Sequence, residues 1–592
     1  MSVETMKKFL SFACASCIFG AIFVHAQTAS KMPAADPFRI DQGSSFSAST
    51  SPRPNSVTEA APSTPAAGRI ITDISQALDL IRQNHVNGAR LDDADLMKSS
   101  LGAMLGELDP HSSYFDAAEF SEMLGEQDSE YSGTGSTISN FVRNGAMETY
   151  IISTHPDSSA AKANLQYGDR IVAVDGVAVS GLASEIVRDK VRGPRGSIVR
   201  MTIERAATGK IETIALKRER VFQPTLPNFF IVRDGVGYID LSEGFSHTTS
   251  AEFATAIKEL HRRGMTSLIL DLRGNGGGIL DQAVKIAGEF LPAGSTIISQ
   301  RGRSPIDNRE WRSSNRNPES MPLVVLVDDQ TASASEVVAG ALQDNDRALI
   351  AGQTTFGKGL VQNVVGLPMG SGMTLTTARY YTPSGRSIQR RYDGTGMYDY
   401  FNHRAAAGST STRSEAHTVT NRVVYGGNGI TPDVVIESAN FDAPKIALLD
   451  PIFFFVRELV NSRPASVNNS ISARDQVRQS IIFGSQPAGE ELLNKFLEYA
   501  NRPGSNVSVK TVRENAAFIA ERLNYELALA TFGPGSAKHS QITSDVEISK
   551  AIEALPKAAR LAETARQARI STEDKKTRRV AFPTGQGRNR RN

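Results

Sequence analysis

A buried strand followed by a glycine-rich loop occupies residues 268–278, with the sequence LILDLRGNGGG. The apolar residues after it recur at helical spacing: Ile279, Leu280, Ala283, Val284 and Ala287. A second unit of the same kind has a strand over Leu323–Val327 and a helix through Val337, Val338, Ala341 and Leu342. Strands that alternate with helices predict a layered α/β core with a largely parallel sheet, which we place at residues 223–440.

Two serines lie between the strand and the helix of the second unit, in the sequence TASASE at 331–336. A serine at a helix N-terminus sits among free backbone N–H groups and at the positive end of the helix dipole. It can serve either as a helix cap or as a nucleophile. Ser333 and Ser335 are two residues apart and face different ways on a helix, so at most one of them can be the nucleophile.

A lysine flanked by glycines follows in the sequence TFGKG at 355–359. It is either a solvated loop residue or a base. A base has to be neutral near pH 7, so its pKa must fall by ~3 units from ~10.4, which burial can impose. Phe356, Leu360 and Val361 are apolar neighbours that could bury Lys358. A serine activated by a neutral lysine is a variant of the serine–base pair used in acyl transfer.

Residues 127–222 have a different, mainly β character and resemble a PDZ domain. The resemblance rests on GDRIVAVDG at 168–176 and on the RGPRG turn at 192–196, which leads into alternating apolar residues. A PDZ domain accepts the C-terminus of a peptide as an added strand, and backbone amides hold the carboxylate. By position, those amides belong to Thr134, Gly135 and Ser136, where the family usually carries bulky apolar residues.

Several motifs in order over residues 70–440 closely resemble the carboxyl-terminal processing peptidases, also called tail-specific proteases. They are DPHS at 109–112, DLRGNGGG at 271–278, SASEVVAGALQD at 333–344, FGKG at 356–359, YYTPSGRSI at 380–388 and GITPD at 429–433. The resemblance implies a multidomain α/β protein with a crotonase/Clp-protease-like core. It also implies a Ser–Lys dyad, with Ser333 as the nucleophile, Lys358 as the general base and no cofactor or metal.

The resemblance further implies that Gln362 orients the lysine. On a straight strand, Lys358 and Gln362 would lie ~13 Å apart, so their contact calls for a bend, which we place at Gly359. The implied oxyanion hole combines the amide of Ala334 with one from Gly276–Gly278, for which Gly277 is the first choice. His111 is the alternative base; we interpret it as structural because the family does not use it in catalysis.

The start of the chain predicts an exported protein. Lys7 and Lys8 precede the apolar run Phe9–Val24, which is typical of a signal peptide over 1–26 cleaved after Ala26; a retained anchor is the alternative. Residues 27–68 predict a disordered linker, since 28 of the 42 are Ser, Thr, Pro, Ala or Gly. We predict helical modules at 69–126 and 441–570. A polar loop insertion is predicted at 389–424, and the last residues, 571–592, predict a basic disordered tail.

Composition excludes several classes of function. Cys14 and Cys17 are the only cysteines and both lie in the predicted signal, so the mature chain would lack a thiol nucleophile and disulfides. The 65 basic and 63 acidic residues nearly cancel, which gives no overall basic field for nucleic acid. No stretch after the predicted signal is long and apolar enough to predict a stable membrane span.

The sequence therefore predicts a periplasmic or secreted serine endopeptidase that recognises free C-termini through its PDZ domain and cleaves tails of envelope or secreted proteins. Its partners would be proteins with accessible C-termini; a homo-oligomer and an activating adaptor both stay open. One alternative is a non-catalytic PDZ adaptor with a vestigial peptidase core. The presence of all three residues Ser333, Lys358 and Gln362 argues against this alternative. Another alternative is an acyl-CoA enzyme of the crotonase type. The predicted signal peptide and the PDZ domain argue against it.

Overall fold

The computed structural model describes residues 65–393, 397–402, 414–438, 442–461, 490–502 and 507–581. The predicted signal peptide, most of the predicted linker and the end of the basic tail lie outside the described residues. Within these ranges, no helix combines the length and the apolar character needed to cross a membrane.

The N-terminal module consists of α1 (Pro65–Asn84), α2 (Asp93–Gly106), β1 (Ser113–Phe115) and α3 (Ala117–Gln127). Helix α1 begins inside the stretch that we predicted as linker. Asp92 and Asp116 cap α2 and α3 by accepting hydrogen bonds from backbone N–H groups of the first turn. Strand β1 attaches the module to the core, because Ser113 pairs with Thr374 in an antiparallel register.

The PDZ region is a β-sheet flanked by two short helices. Its elements are β2 (Glu130–Gly133), β3 (Ser136–Arg143), β4 (Ala146–Thr154), α4 (Ser159–Lys162), β5 (Arg170–Val174), β6 (Val177–Ala178), α5 (Ser184–Val191), β7 (Ile198–Glu204), β8 (Ile211–Lys217) and β9 (Glu219–Phe222). The main sheet has the order β3-β4-β5-β7-β8, so β3 is an edge strand. The alternating residues Val199, Met201 and Ile203 are buried, as the sequence predicted.

The core starts with β10 (Asn228–Arg233), β11 (Val236–Asp240), α6 (Thr249–Arg262), β12 (Ser267–Asp271), α7 (Leu280–Phe290), β13 (Thr296–Gly302), β14 (Arg309–Arg312), β15 (Leu323–Val327), α8 (Ala334–Asp344), β16 (Leu349–Gly352), β17 (Leu360–Gly366) and β18 (Gly372–Tyr381). Strands β11, β12, β15 and β16 are parallel neighbours in that order. The carboxyl ends of parallel strands meet at one edge of a sheet. The loops that follow β12 and β15 are therefore side by side.

The stretch 389–424 is not a plain loop as predicted. Its described parts contain α9 (Met397–Phe401), β19 (Ser414–His417) and the start of β20 (Val423–Gly426), which pairs with β19 in an antiparallel hairpin. Strand β21 (Val434–Val435) then closes the central sheet beside β16. Residues 394–396 and 403–413 of the insertion lie outside the described ranges.

The C-terminal region is helical, as predicted: α10 (Ala443–Asn461), α11 (Glu490–Ala500), α12 (Val509–Glu514), α13 (Ala516–Phe532), α14 (Pro534–Ser544) and α15 (Val546–Ala581). Helices α10 and α13 pack on the PDZ region, where Phe453 stacks on Phe141 at 3.6 Å between ring centroids. Helix α15 covers the face of the central sheet opposite α6, α7 and α8. It continues to Ala581, so the predicted disorder is wrong for residues 571–581.

Candidate active site

Ser333 is the residue just before α8 and is held in a strained backbone conformation. Its φ of 55° and ψ of −117° lie where residues other than glycine rarely occur. The buried neighbours fix it, since the N–H of Ala332 donates to the carbonyl of Asn275 (3.0 Å) and that of Val337 to the carbonyl of Ser333 (3.0 Å). A strained backbone conformation of this kind persists only where the surrounding structure holds it in place. Such conformations are found most often at functional sites.

Glu336 joins the serine to the lysine loop. Its Oε2 atom accepts the backbone N–H of Ser333 (2.9 Å) and that of Lys358 (2.8 Å). Its Oε1 atom accepts the N–H of Gly357 (2.8 Å) and the hydroxyl of Thr355 (2.5 Å). The carboxylate is fully buried; burial raises the pKa of Glu336, and these four donors oppose the rise.

Lys358 lies in the loop that precedes β17, and its side chain is buried. Burial alone lowers the pKa of its amine to about 7, because a charged ammonium loses its hydration there. A lysine that acts as a base has to be substantially neutral near pH 7. The buried environment of this side chain meets that requirement. The shared carboxylate of Glu336 keeps the backbone of Lys358 beside that of Ser333.

Gly277 packs directly against the serine. A Cβ atom at this position would lie 2.8 Å from Ser333 Cβ and 2.9 Å from the amide nitrogen of Ala334, and the φ of +110° disfavours any side chain. Its N–H donates to the Oδ1 atom of Asn275 (2.8 Å). The structure therefore places the two predicted oxyanion donors, Ala334 and Gly277, in contact, with the Gly277 amide directed at Asn275.

Gln362 and His111 meet in the same buried region. The Nε2 atom of Gln362 donates to the backbone carbonyl of His111, which fixes the direction of the amide. In the β17–β18 register the irregularity lies opposite Val361 and Gln362, and Gly359 directly precedes β17, so the bend at Gly359 stays a prediction.

The His111 ring is enclosed by aromatic side chains. Its Nε2 atom lies 2.9 Å from the hydroxyl of Tyr400, and Phe356 and Phe401 pack edge-on against it. Burial lowers the pKa of His111 to about 4, so the imidazole is neutral at pH 7. A ring that is enclosed and hydrogen-bonded in this way fits a structural role.

The predicted peptide-binding loop of the PDZ region leads into the edge strand β3. The carbonyl of Thr134 accepts the N–H of Ala160 (2.9 Å), and that of Gly135 accepts the N–H of His155 (2.7 Å). The N–H groups of Thr134 and Gly135 donate to no acceptor among the residues that the structure describes. Gly135 has a φ of +76°, and a Cβ there would lie 2.3 Å from Ser158 Cβ, so this turn requires glycine.

Sequence reasoning missed Glu336 and Asn275 as parts of the site. The spacing Ser333-x-x-Glu336 is the pattern of a capping box and could have indicated the bond from Glu336 back to the serine amide. Nothing local indicates the bonds from Glu336 to the lysine loop, because those donors are about 20 residues further along the chain.

Two protein-family models match parts of this chain. The model of peptidase family S41 matches residues 235–395, and the PDZ domain model matches residues 125–204. The carboxy-terminal-processing protease of Bartonella bacilliformis is 37% identical over 303 residues, which are 50% of this chain and 68% of that protein. The carboxy-terminal processing protease CtpB of Bacillus subtilis is 32% identical over 54% of this chain and 65% of its own length.

Among solved structures, the photosystem II D1 C-terminal processing protease is similar, with 30% sequence identity over 58% of this chain and 83% of that chain and a TM-score of 0.32. The Bartonella bacilliformis and Bacillus subtilis relatives are both named carboxy-terminal processing proteases. This chain belongs to the carboxy-terminal processing proteases, serine-type peptidases of family S41, and carries a PDZ domain.

Proposed function

We propose that this protein cleaves the C-terminal tails of exported proteins with a Ser333–Lys358 dyad. The observation that carries the proposal is the Glu336 carboxylate, which accepts the backbone N–H groups of both residues beside a lysine whose pKa burial lowers to about 7. A nucleophile and a base whose backbones are held by one buried group support the pairing that covalent catalysis requires.

In the first half-reaction, the Oγ atom of Ser333 attacks the carbonyl carbon of the scissile peptide bond while the neutral amine of Lys358 takes the hydroxyl proton. Lys358 then gives this proton to the leaving amine, and an acyl-enzyme forms on Ser333. In the second half-reaction, water attacks the ester, Lys358 takes its proton, and the serine hydroxyl is regenerated. The amide of Ala334, with one from the loop of Gly277, stabilises the oxyanion in both steps.

The PDZ region selects the substrate in this proposal. An extended tail adds to the edge strand β3, and the N–H groups of Thr134, Gly135 and Ser136 bind its terminal carboxylate. The amide of Gly277 is hydrogen-bonded to Asn275, which supports a resting arrangement that substrate binding rearranges. The signal-like segment at 1–26 supports a periplasmic or secreted location and substrates in the envelope or outside the cell.

Serine and lysine variants test the dyad. A purified unfolded reporter with an apolar C-terminus is incubated with wild type, Ser333→Ala, Lys358→Ala and the matched control Ser335→Ala. We expect no detectable turnover for the first two variants and substantial activity for the control. The hydroxyl of Ser335 is buried and has no hydrogen-bond partner among the residues that the structure describes, so its removal costs little stability.

Loss of activity in Ser335→Ala with retention in Ser333→Ala would reassign the nucleophile. Binding of the reporter by wild type without any cleavage would favour the PDZ adaptor instead. Cell fractionation, together with N-terminal sequencing for a cut after Ala26, tests the location independently. Capture of bound proteins on Ser333→Ala then identifies the substrates.

A further inference from the structure

We propose that Arg390 and Tyr400, in the insertion that follows the core segment ending at Ile388, are positioning residues for the lysine loop Phe356–Gly359. This inference rests on the proposed role of Lys358 as the base. It concerns how this chain keeps that loop in place, and it gives a function to an insertion that sequence patterns left without one.

The start of the insertion holds the lysine loop from both sides. The N–H of Arg390 donates to the carbonyl of Gly357 (2.8 Å), and the N–H of Gly359 donates to the Oε1 atom of Gln389 (2.7 Å). A Cβ on Gly357 would lie 2.8 Å from Arg390 Cβ, and one on Gly359 would lie 2.8 Å from the amide nitrogen of Gln389. The two glycines that flank Lys358 therefore allow the insertion to pack directly on the loop.

The guanidinium of Arg390 joins this backbone contact to two aromatic rings. It lies 4.5 Å from the centroid of Phe356, which belongs to the lysine loop, and 4.6 Å from that of Tyr400. It also donates to the backbone carbonyl of Tyr400 (2.6 Å). Arginine suits this position because a planar cation can stack on aromatic faces while its N–H groups form directed hydrogen bonds.

The hydroxyl of Tyr400 completes the arrangement. The Nε2 atom of Gln389 donates to it (3.3 Å), and the Nε2 atom of His111 lies 2.9 Å away. The backbone carbonyl of His111 in turn accepts the amide of Gln362. Tyr400 thus connects the insertion to His111 of the N-terminal module, and His111 connects it to Gln362 of β17.

These contacts predict a loss in the chemical step with little change in substrate binding. None of the residues needs to touch the substrate, but each restricts the loop that carries the base. A displacement of about 1 Å in a catalytic group can lower the rate ~100-fold. Arg390→Ala removes both the ring contacts and the bond to Tyr400, so its effect should exceed that of Tyr400→Phe, which keeps the ring.

The experiment compares Arg390→Ala, Arg390→Lys and Tyr400→Phe with wild type and with the control Arg502→Ala. Arg502 stacks on Tyr499 at 4.9 Å in the C-terminal helical region, so the control removes the same kind of contact far from Lys358 along the chain. The measurements are kcat and KM on the unfolded reporter, the unfolding midpoint, and backbone hydrogen exchange of residues 355–362.

For Arg390→Ala we expect kcat to fall at least ~10-fold with KM within about twofold, and hydrogen exchange to become faster in residues 355–362. Arg390→Lys should recover part of the rate, because its ammonium can still lie on Phe356. Arg502→Ala should leave both quantities unchanged. A wild-type kcat and wild-type exchange in Arg390→Ala would overturn the inference.

A general decrease of stability would also count against it. In that case the whole core of Arg390→Ala would exchange faster, KM would change together with kcat, and Arg390→Lys would give no recovery. Lys358→Ala separates this result from a failure of the proposed function. If Lys358→Ala remains active, the dyad itself is wrong; if it is inactive while Arg390→Ala retains full activity, only the positioning role is wrong.

Discussion

The backbone N–H groups of Ser333 and Lys358 donate to the same oxygen atom, Oε2 of Glu336, at 2.9 and 2.8 Å. The two amide nitrogens are therefore no further apart than the sum of those distances, although 25 residues separate them in the chain. The same carboxylate takes two more donors from the lysine loop through Oε1. One buried group thus sets the relative position of the proposed nucleophile and the proposed base.

Replacing that carboxylate by an amide should uncouple the two loops. In Glu336→Gln one acceptor oxygen becomes an NH2 group, so two of the four donors lose their acceptor, at a cost of about 1–3 kcal/mol each. We expect kcat to fall roughly 100-fold while the fold is retained. Steady-state kinetics and circular dichroism measure the two effects.

The matched control for this prediction is Asp346→Asn. Asp346 is also a fully buried carboxylate, but its partners are the N–H of Thr420 and the side chain of Arg422, beyond the opposite end of α8. The control should lower the unfolding midpoint without lowering kcat. Equal kinetic effects in the two variants would show that the position of Glu336 in the site has no special importance.

Gly277→Ala should abolish most activity through steric conflict with the serine. The new Cβ would lie under 3 Å from Ser333 and Ala334 in a backbone conformation that disfavours a side chain. Loss of an aligned oxyanion donor costs about 100- to 1,000-fold in kcat.

Gly294→Ala is the control: its φ of +87° imposes similar backbone strain, but nothing lies within 4 Å of the added Cβ. If both variants keep wild-type kcat, the contact between Gly277 and the serine is not needed.

The core and its motifs were predictable because their signals are local. Strand β15 and the middle of β12, Leu268–Leu270, are apolar runs, and every residue of both strands is buried. The predicted bend at Gly359 has no such local signal: Gly359 lies just before β17, and the irregularity of the β17–β18 pairing falls at Val361–Gln362, where Thr377 of β18 is the extra residue. That irregularity depends on pairing with β18, which no local pattern shows.

The bonds from Glu336 to the lysine loop and the contacts of Tyr400 could not be predicted, because they join residues distant in sequence. Tyr400 lies 289 residues from its partner His111, in a polar stretch without apolar periodicity. The helical stretch 571–581 was missed for another reason, because basic composition was taken as the sign of disorder. Helix α15 is held by Ala551, Leu555 and Ala558, which are buried against the central sheet upstream of that stretch.

Recognition should depend on the free carboxylate of the substrate. An amidated C-terminus lacks the charge that the amides around Gly135 would bind, so kcat/KM should fall for the amide relative to the acid of the same sequence. A Ser333→Ala binding assay with both peptides separates affinity from turnover. Equal affinity and equal rates for the two peptides would rule out tail recognition at this loop.

The pH dependence of the rate should report the lysine. Only the neutral amine can accept the serine proton, and burial lowers the pKa of Lys358 to about 7, so kcat/KM should rise with pH through about 7 and level off above it. His111 should not control this profile, since burial lowers its pKa to about 4. A folded His111→Ala variant should keep the same midpoint. A kcat as low as that of Lys358→Ala would identify the histidine as the base instead.

The buried lysine should also make the protein less stable as the pH falls. Burial lowers the pKa of Lys358 in the folded state from its ordinary value of 10.5 to about 7, so unfolding takes up a proton between these two pH values. Stability is therefore lost as the pH falls from about 10.5 to about 7, by an amount on the order of 5 kcal/mol at about 1.4 kcal/mol per pKa unit. Lys358→Met removes the titrating group and keeps an unbranched apolar side chain. We expect it to unfold at a higher temperature than wild type at pH 6, with a smaller difference at pH 9.5.

The control Lys217→Met, on the exposed side of β8, should show no such change between the two pH values. A difference for Lys358→Met that is the same at pH 6 and pH 9.5 would mean that the lysine is not buried as a neutral amine.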